Sequence, residues 1–319
     1  MNLGFWKNLK KPFFVLAPMA DVTNYPFRQI LTKYAKPDVV WNEFVSADGL
    51  MHPEGRKRLM VDLKFADNER PIVAQFFTST PMHMKAAAGL AVELGFDGVD
   101  INMGCPDKSV EKQGAGAACM KNPENAKQII LAAMEGAGSL PVSVKTRIGF
   151  NKDEIDTWIK EVLETKPAAL SVHLRTRKEM SKVPAHWDHM PRIVELKNKI
   201  SPETLIIGNG DILLLSDGRQ KVVETGCDGI MIGRGVFKNF FVFAEKEPTL
   251  RDRYEVAIEH TRLWHEFLGD HKSFEPMRKF YKMYINGFDG ASDIRQELFK
   301  TKTPAEAITL LEKLLKVIY

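Results

Sequence analysis

Eight short apolar runs, most of them rich in β-branched residues, recur through the first three-quarters of the chain. They are Phe13 to Ala17, Val39 to Glu43, Pro71 to Phe77, Gly98 to Asn102, Val142 to Thr146, Ala168 to His173, Leu205 to Gly208 and Gly229 to Ile232. Segments of helical spacing separate most of them: Pro26 to Tyr34, Pro81 to Leu94, Pro123 to Met134, Glu154 to Glu164, Pro191 to Lys199 and Gly218 to Glu224. Short apolar runs bounded by turn residues read as buried strands, and their alternation with helices is the pattern of α/β folds. Eight units predict a (β/α)8 TIM barrel. An open doubly wound sheet would usually carry fewer strands, and no Gly-x-Gly-x-x-Gly follows the first run.

Local signals support the helices. Thr80 and Asn122 are placed as N-caps, and Gly95 as a C-cap. The stretch from Phe44 to Asn68 reads as irregular. After Phe243 the strand signal stops. Thr249 to Leu268, Phe274 to Ile285, Ile294 to Phe299 and Pro304 to Ile318 all read as helices. The boundary falls near Glu245 to Pro248. The expected architecture is a catalytic barrel over residues 1–245, followed by a small all-helical C-terminal domain over 246–319.

With 44% hydrophobic and 27% charged residues, the chain has the make-up of an ordinary soluble globular protein. Its net charge of +4 permits an acidic partner without demanding one. Three cysteines, Cys105, Cys119 and Cys227, are an odd number without close spacing. This suits a reducing cytoplasm better than a disulfide framework. Lys7, Lys10 and Lys11 before Phe13 to Ala20 resemble a targeting segment, but Pro12 and Pro18 interrupt the apolar run. The basic cluster is read as a solvated leader. No run approaches the roughly 18 apolar residues of a membrane span.

Barrel enzymes place their chemistry at the C-terminal ends of the strands. The residues gathered there are Ala17-Pro18-Met19-Ala20, Glu43, Gln75, Asn102 with Cys105, Lys145 with Arg147, His173 with Arg175, Asn209-Gly210-Asp211 and Gly233-Arg234-Gly235. Glycines in the last two loops let backbone N–H groups approach a phosphate, and Arg234 adds charge. Tight turns without a ligand are the alternative. Lys145 in a barrel mouth can stabilise an anion developing on a bound ring. His173 can do the same, or donate to a backbone carbonyl. Cys105, in Asp100-Ile101-Asn102-Met103-Gly104-Cys105-Pro106, is taken alone an idle thiol in a turn. His186 and His189 lie three apart, but nothing completes a metal site there, and Trp187 beside them reads as a packing residue. No metal is expected.

As an ordered set, these motifs resemble the tRNA-dihydrouridine synthase family, FMN-dependent barrels that reduce uridine in tRNA. The resemblance covers nearly the whole chain. It rests on Leu16-Ala17-Pro18-Met19-Ala20-Asp21-Val22-Thr23 with Pro26-Phe27-Arg28, on Gln75-Phe76, and on Asn102-Met103-Gly104-Cys105-Pro106. It continues through Gly114-Ala115-Gly116-Ala117, Lys145-Thr146-Arg147-Ile148-Gly149 and His173 with Arg175-Thr176. It closes with Gly208-Asn209-Gly210-Asp211-Ile212 and Met231-Ile232-Gly233-Arg234-Gly235. Leu174 departs from the pattern, which usually has Gly between the His and the Arg.

The resemblance implies that Pro18, Met19, Gln75, Lys145 and His173 hold the isoalloxazine and ribityl parts of FMN. Asn209, Asp211, Gly233 and Arg234 would hold its ribityl-phosphate end. Asn102 would touch the uracil, and Cys105 would donate a proton to C5 while reduced flavin gives hydride to C6. Arg175 and the Lys108 to Gly116 loop would lie near the substrate. NADPH would be the electron donor, tRNA the partner, the helical tail the RNA-binding part, and the protein a cytoplasmic monomer. An unperturbed thiol, with a pKa of about 8.5, is mostly protonated near neutral pH and can act as an acid without a His partner. The tail carries 13 basic and 12 acidic residues, so RNA affinity would be local, with Arg278-Lys279-Phe280-Tyr281-Lys282 as the best cluster. The rival readings are an FMN barrel oxidoreductase acting on a small pyrimidine-like substrate, a flavin-free phosphate-sugar lyase or isomerase, and a non-catalytic RNA-binding protein. The four-helix tail and the Asn102 to Pro106 pattern favour the tRNA enzyme.

Overall fold

The computed structural model describes residues 2–317, so the expected end of the last helix at Ile318 lies outside the described residues. The strands are β1 (Phe13–Leu16), β2 (Val40–Trp41), β3 (Val45–Ser46), β4 (Ile72–Phe77), β5 (Gly98–Met103), β6 (Val142–Arg147), β7 (Ala169–His173), β8 (Leu205–Asn209) and β9 (Gly229–Ile232). All pair in parallel, in the order β1-β9-β8-β7-β6-β5-β4-β2, with β3 also on β4. A parallel bridge between Val15 and Val39, with Leu16 N–H donating to the Val39 carbonyl at 3.2 Å, brings β1 beside β2 and closes the barrel.

Nine strands fill eight positions because the second is broken. Trp41 pairs with Val73 and Val45 with Phe76, while residues 42–44 between them leave the ladder. The Asn42 side chain accepts the Gln75 backbone N–H at 2.8 Å, so a carboxamide substitutes for a strand carbonyl there. Glu43 is thereby freed to turn toward the loop after β1.

Inward-facing residues form layers. The lower ones are apolar, with Phe13, Val15, Trp41, Val73, Leu205 and Ile207 in one cluster. Trp6, from a 3-10 turn over Gly4–Asn8, closes the bottom, its ring 5.7 Å from Phe13 and 5.9 Å from Trp41. The stretch expected to be a solvated leader is therefore partly a plug. Lys7 and Lys10 are exposed, but Lys11 pairs with Asp228 at 2.6 Å. Toward the C-terminal ends the interior turns polar, with Gln75, Asn102, Lys145, His173 and Asn209 on successive strands.

The outer helices are α1 (Tyr25–Tyr34), α2 (Pro81–Leu94), α3 (Pro123–Ala137), α4 (Lys160–Glu164, entered through a π turn at Ile155–Ile159), α5 (Met190–Ile200) and α6 (Leu215–Thr225). Asn122 caps α3 by accepting the Asn125 N–H at 3.1 Å, and Gly95 ends α2 in the left-handed conformation. Between β3 and β4 the chain is more ordered than its sequence suggests, with helical turns at Ala47–Leu50 and Pro53–Leu59. The second buries none of its residues, so it has no apolar stripe to betray it. A fully buried pair, Arg28 and Glu69 at 2.5 Å, fastens this region to α1. The same guanidinium donates to the Thr23 and Lys64 carbonyls, so the buried charge is fully partnered.

The tail forms α7 (Leu250–Leu268), α8 (Met277–Tyr284), α9 (Ala291–Lys300) and α10 (Pro304–Leu315). Thr249 and Asp252 make a capping box at the start of α7. Phe27 of α1 meets the Phe240, His260 and Phe280 rings at 5.8, 6.1 and 5.7 Å. Lys33 and Tyr34 both reach Glu259 of α7. The tail thus shares a continuous apolar core with the barrel.

Candidate active site

A cavity of about 380 Å³ opens at the C-terminal ends of the strands. The exit of β1 gives it Pro18 and Met19, β6 gives Lys145 and β7 gives His173 with Arg175. The β8 exit adds Asn209 and Asp211, and the β9 exit Gly233 and Arg234. Nine residues proposed from strand exits scattered along the chain therefore line one space. Gln75 lies beneath it with no exposure, Asn102 is buried beside it, Cys105 is half-buried, and Lys108 is exposed on the rim.

Three charges organise the β8–β9 side. The Asp211 carboxylate accepts from Arg175, from Arg234 at 3.2 Å, and from the Ala185 N–H at 2.8 Å. Asp211 therefore serves the arginines here, holding both guanidinium groups at the cavity wall. Gly210 has φ of +139°, and a Cβ there would come within 2.6 Å of the Ala185 side chain, so only glycine passes. Arg234 stays mostly exposed, with donors left for an anion. The Asn209 amide donates to the Met231 carbonyl at 2.8 Å, which ties β8 to β9 at the cavity floor.

Arg175 also donates to the His173 ring at Nε2, at 3.0 Å. A guanidinium has no acceptor, so Nε2 must be the lone-pair nitrogen and Nδ1 carries the proton. Burial, helped by the charges of Arg147, Lys145, Arg175 and Arg234, holds the imidazole pKa well below 6.5. His173 is a neutral group at physiological pH.

Lys145 is half-buried at the cavity wall, with no carboxylate within 4 Å of its ammonium among the described residues. Burial and then Arg147 push its pKa down to about 8, with Asp100 pulling the other way. A cation held in this way suits an anionic ligand.

The thiol side is built from the strand below. Asn102 Oδ1 accepts the backbone N–H groups of Gly104 and Cys105 at 3.1 and 2.9 Å, and so shapes the turn that presents the thiol. Gly104 passes against Thr146, where a Cβ would meet backbone at 3.1 Å. The Cys105 carbonyl accepts the Ala117 N–H at 2.9 Å, which folds the Gly114 to Ala117 loop over it. Arg147 locks this turn, donating from Nε to the Gly104 carbonyl at 2.8 Å and from Nη1 to Thr176 and Met180. Arg177 reaches across to Glu111 with two nitrogens. Burial raises the Cys105 pKa above its ordinary value, so the group is a thiol at neutral pH.

One functional candidate, Asp100, escaped the strand-exit reading, and two others, Arg147 and Glu43, stood in it without a role. Arg147 was noted only as an exit residue, and its role depends on loops remote in sequence. Glu43 is buried, and burial lifts its pKa to about 7. Asp100 is wholly buried under the cavity and burial lifts its pKa to about 6. Its signal was available: a carboxylate at an inward position of an otherwise apolar strand. His186 and His189 gather with Asp188 within 4.8 Å, and each ring already faces a carboxylate, Glu179 and Asp153 respectively. Trp187 packs on Gly208 and donates to the Gly210 carbonyl at 2.9 Å.

Comparison with known proteins bears on this geometry. The family model described as dihydrouridine synthase matches residues 15–318. A probable tRNA-dihydrouridine synthase of Staphylococcus aureus (strain MRSA252) is 42% identical over 318 residues, covering 98% of this chain and 96% of its own. The probable tRNA-dihydrouridine synthase 2 of Bacillus subtilis (strain 168) is also 42% identical, covering 98% and 97%. Among solved structures, a morphinone reductase variant in complex with tetrahydroNAD superposes with a TM-score of 0.51 at 12% identity, covering 76% of this chain and 89% of that one. Histamine dehydrogenase from Rhizobium sp. 4-9 gives a TM-score of 0.51 at 11% identity, covering 78% and 48%. These two likenesses concern the barrel fold.

Proposed function

The chain belongs to the dihydrouridine synthase family, and from that premise we propose that it is an FMN-dependent enzyme that uses NADPH to reduce the C5=C6 bond of uridines in tRNA. The observation that carries the reading is a pairing. A protonated thiol, Cys105, is held by its own turn beside a cavity whose wall carries the ammonium of Lys145, unpaired among the described residues.

The cavity residues fit FMN. Arg234 and the N–H groups of the Gly210 and Gly233 loops suit a phosphate, because added side chains would close Gly210 and Arg234 keeps free donors. Pro18, Met19, Lys145 and His173 would face the ring system, with Asn209 and Asp211 toward the ribityl-phosphate end. Bound there, FMN would supply a hydride to C6 of the uracil. Lys145 offsets negative charge in the site, and neutral His173 adds a directed Nδ1–H without a further cation.

Cys105 gives its proton to C5. The turn built by Asn102 and braced by Arg147 fixes where that proton is delivered. A uridine must leave its stack to enter the mouth. Lys108 on the rim would meet the nucleotide backbone, and the buried Arg175, held by Asp211, would line the cavity wall beneath the nucleotide. The helical segment over residues 246–319 would act as the RNA-binding part. In it Phe280 and Tyr281 are buried and Lys282 is exposed, so α8 turns its charge outward from an aromatic anchor. A tRNA substrate and three free cysteines suit the cytoplasm. No helix among the described residues is long and apolar enough to cross a membrane.

The test has two stages. Purified protein incubated with FMN and desalted should keep a flavin absorbance spectrum. It should then oxidise NADPH and form dihydrouridine on unmodified tRNA. Protein that stays colourless, or that consumes NADPH without modifying tRNA, would remove this reading.

A further inference from the structure

Beneath the cavity four side chains, Ser143, Asp100, Gln75 and Asn102, form a directed chain of hydrogen bonds. The Asp100 carboxylate accepts from Gln75 Nε2 at 2.5 Å with one oxygen, and from Ser143 Oγ at 2.5 Å with the other. Gln75 Oε1 accepts from Asn102 Nδ2 at 3.2 Å. Asn102 Oδ1 accepts from the N–H groups of Gly104 and Cys105. The strand register makes the chain possible, because Gln75, Asp100 and Ser143 stand side by side on β4, β5 and β6.

A carboxamide has a donor end and an acceptor end of nearly the same shape, so its direction is set by its neighbours. Here both termini of the chain agree. Two backbone N–H groups can only donate, so Asn102 must turn its oxygen to them and its NH₂ to Gln75. Gln75 must then turn its own NH₂ away from Asn102. What it meets is a carboxylate, which can only accept. Asp100 and Gln75 have no exposure and Asn102 has 6%, so water cannot supply a missing acceptor. Asp100 touches neither the thiol nor the cavity.

We propose that Asp100 is a positioning residue, whose buried carboxylate sets the polarity of the Gln75–Asn102 chain and thereby holds the backbone that presents Cys105. Without an acceptor at position 100, Gln75 can flip, and a flip of Asn102 with it would set an NH₂ against two N–H groups. The turn carrying the thiol would then lose its template.

This inference rests on the reading of Cys105 as the proton donor, and its test includes a readout independent of that reading. Asp100→Leu removes the acceptor at similar size. Asp100→Asn keeps it, since the asparagine oxygen can face Gln75 while its NH₂ donates to Ser143. Alkylation of the native protein by iodoacetamide reports Cys105, because Cys119 and Cys227 are buried. Asp100→Leu should alkylate about tenfold faster as the turn loosens. It should also lower single-turnover uridine reduction about 100-fold, the scale of a displaced reacting group, with NADPH-to-flavin transfer changed less than about threefold. Asp100→Asn should stay within about threefold of the parent in all three measurements, since it keeps every link of the chain. If the leucine variant does not fold, Asp100→Ala serves, since it adds no bulk. Unchanged alkylation in the leucine or alanine variant overturns the proposal, and so does an asparagine variant as impaired as the leucine one. If the parent protein makes no dihydrouridine, the functional reading falls, while the alkylation series still decides the role of Asp100.

Discussion

The ammonium of Lys272, in the segment between α7 and α8, stands 3.8 Å from the carboxylate of Glu43 at the break in the second barrel strand. It is also 3.3 Å from Asp62. Glu43 accepts the backbone N–H of Asp21, in the loop that brings Pro18 and Met19 to the cavity. One buried carboxylate thus joins the helical tail to a wall of the active site. Burial raises its pKa to about 7, with Lys272 as the strongest pull in the other direction.

The sign of the resulting pH effect follows from linkage. The folded protein holds a proton on Glu43 that the unfolded chain releases near the ordinary glutamate value, so this group lowers stability as pH rises toward 7. Lys272→Met deepens that loss. The expected cost is roughly 1–2 kcal/mol at pH 8 and clearly less at pH 5, where Glu43 is neutral and only Asp62 misses its partner. Urea unfolding midpoints at the two pH values measure it. An equal cost at both would mean that Glu43 does not sense Lys272.

Cys105 should behave as an acid and not as a nucleophile. Cys105→Ala is expected to keep FMN and lose most uridine reduction, and Cys105→Ser to do little better, because a hydroxyl is a far weaker acid than a thiol. With its pKa raised by burial above the ordinary thiol value, the group stays protonated through the neutral range. Single-turnover reduction, followed by stopped-flow flavin absorbance, should not rise with pH across the neutral range and should fall at alkaline pH. A rate that rises with pH across the neutral range would assign the chemistry to a thiolate.

Strand legibility had a physical source: the barrel strands are buried almost throughout, so apolar runs marked them. What no periodicity displays is the break in the second, where the buried Asn42 and Glu43 carry structural roles. Pro53–Leu59 was missed because it buries nothing, and Trp6 because one plug residue makes no pattern. The cavity residues were legible because polar groups at strand exits are conspicuous against apolar runs. Their couplings were not. The tie of Arg147 to Gly104 and that of Asp211 to Arg175 depend on loops brought together only by closure of the barrel.

Lys145 exposes a conflict between stability and ligand binding. Its folded pKa of about 8 lies below the ordinary 10.5, so the folded state carries the full penalty of this cation below pH 8 and recovers stability as pH rises from about 8 toward 10.5. Lys145→Met should stabilise the ligand-free protein at pH 7 by roughly 1 kcal/mol, allowing for solvent at the cavity mouth. It should weaken FMN binding at least about tenfold, through loss of an electrostatic partner. Thermal melts with and without FMN give both quantities. A variant that is less stable without ligand would show that the ammonium is not strained there.

Gly116 tests the loop over the thiol. It has φ of +60°, and a Cβ would lie 2.7 Å from the Cys105 carbonyl oxygen. Gly116→Ala should cost roughly 1–3 kcal/mol through strain and contact. It should also slow uridine reduction more than it weakens FMN binding, because Gly116 does not line the cavity. Flavin titration beside single-turnover kinetics separates the two, and parallel losses would place the damage in the barrel instead.

The rim provides the sharpest test of the RNA. Lys108 is exposed at the start of the helical turn that follows the thiol, and Asp107 orders that turn by accepting the Ser109 N–H at 2.7 Å. It pairs with no carboxylate within 4 Å among the described residues, so its charge is available to a phosphate. Lys108→Ala should weaken tRNA binding evenly across tRNA species. It should also reduce the slope of log affinity against log salt by about 0.7–1, the share of one phosphate contact. NADPH-to-flavin transfer without tRNA should be untouched, because the residue lies outside the cavity. Fluorescence anisotropy of labelled tRNA at several salt concentrations measures the slope. An unaltered slope would mean that the substrate approaches the mouth from another side, over α8 and the exposed Lys282.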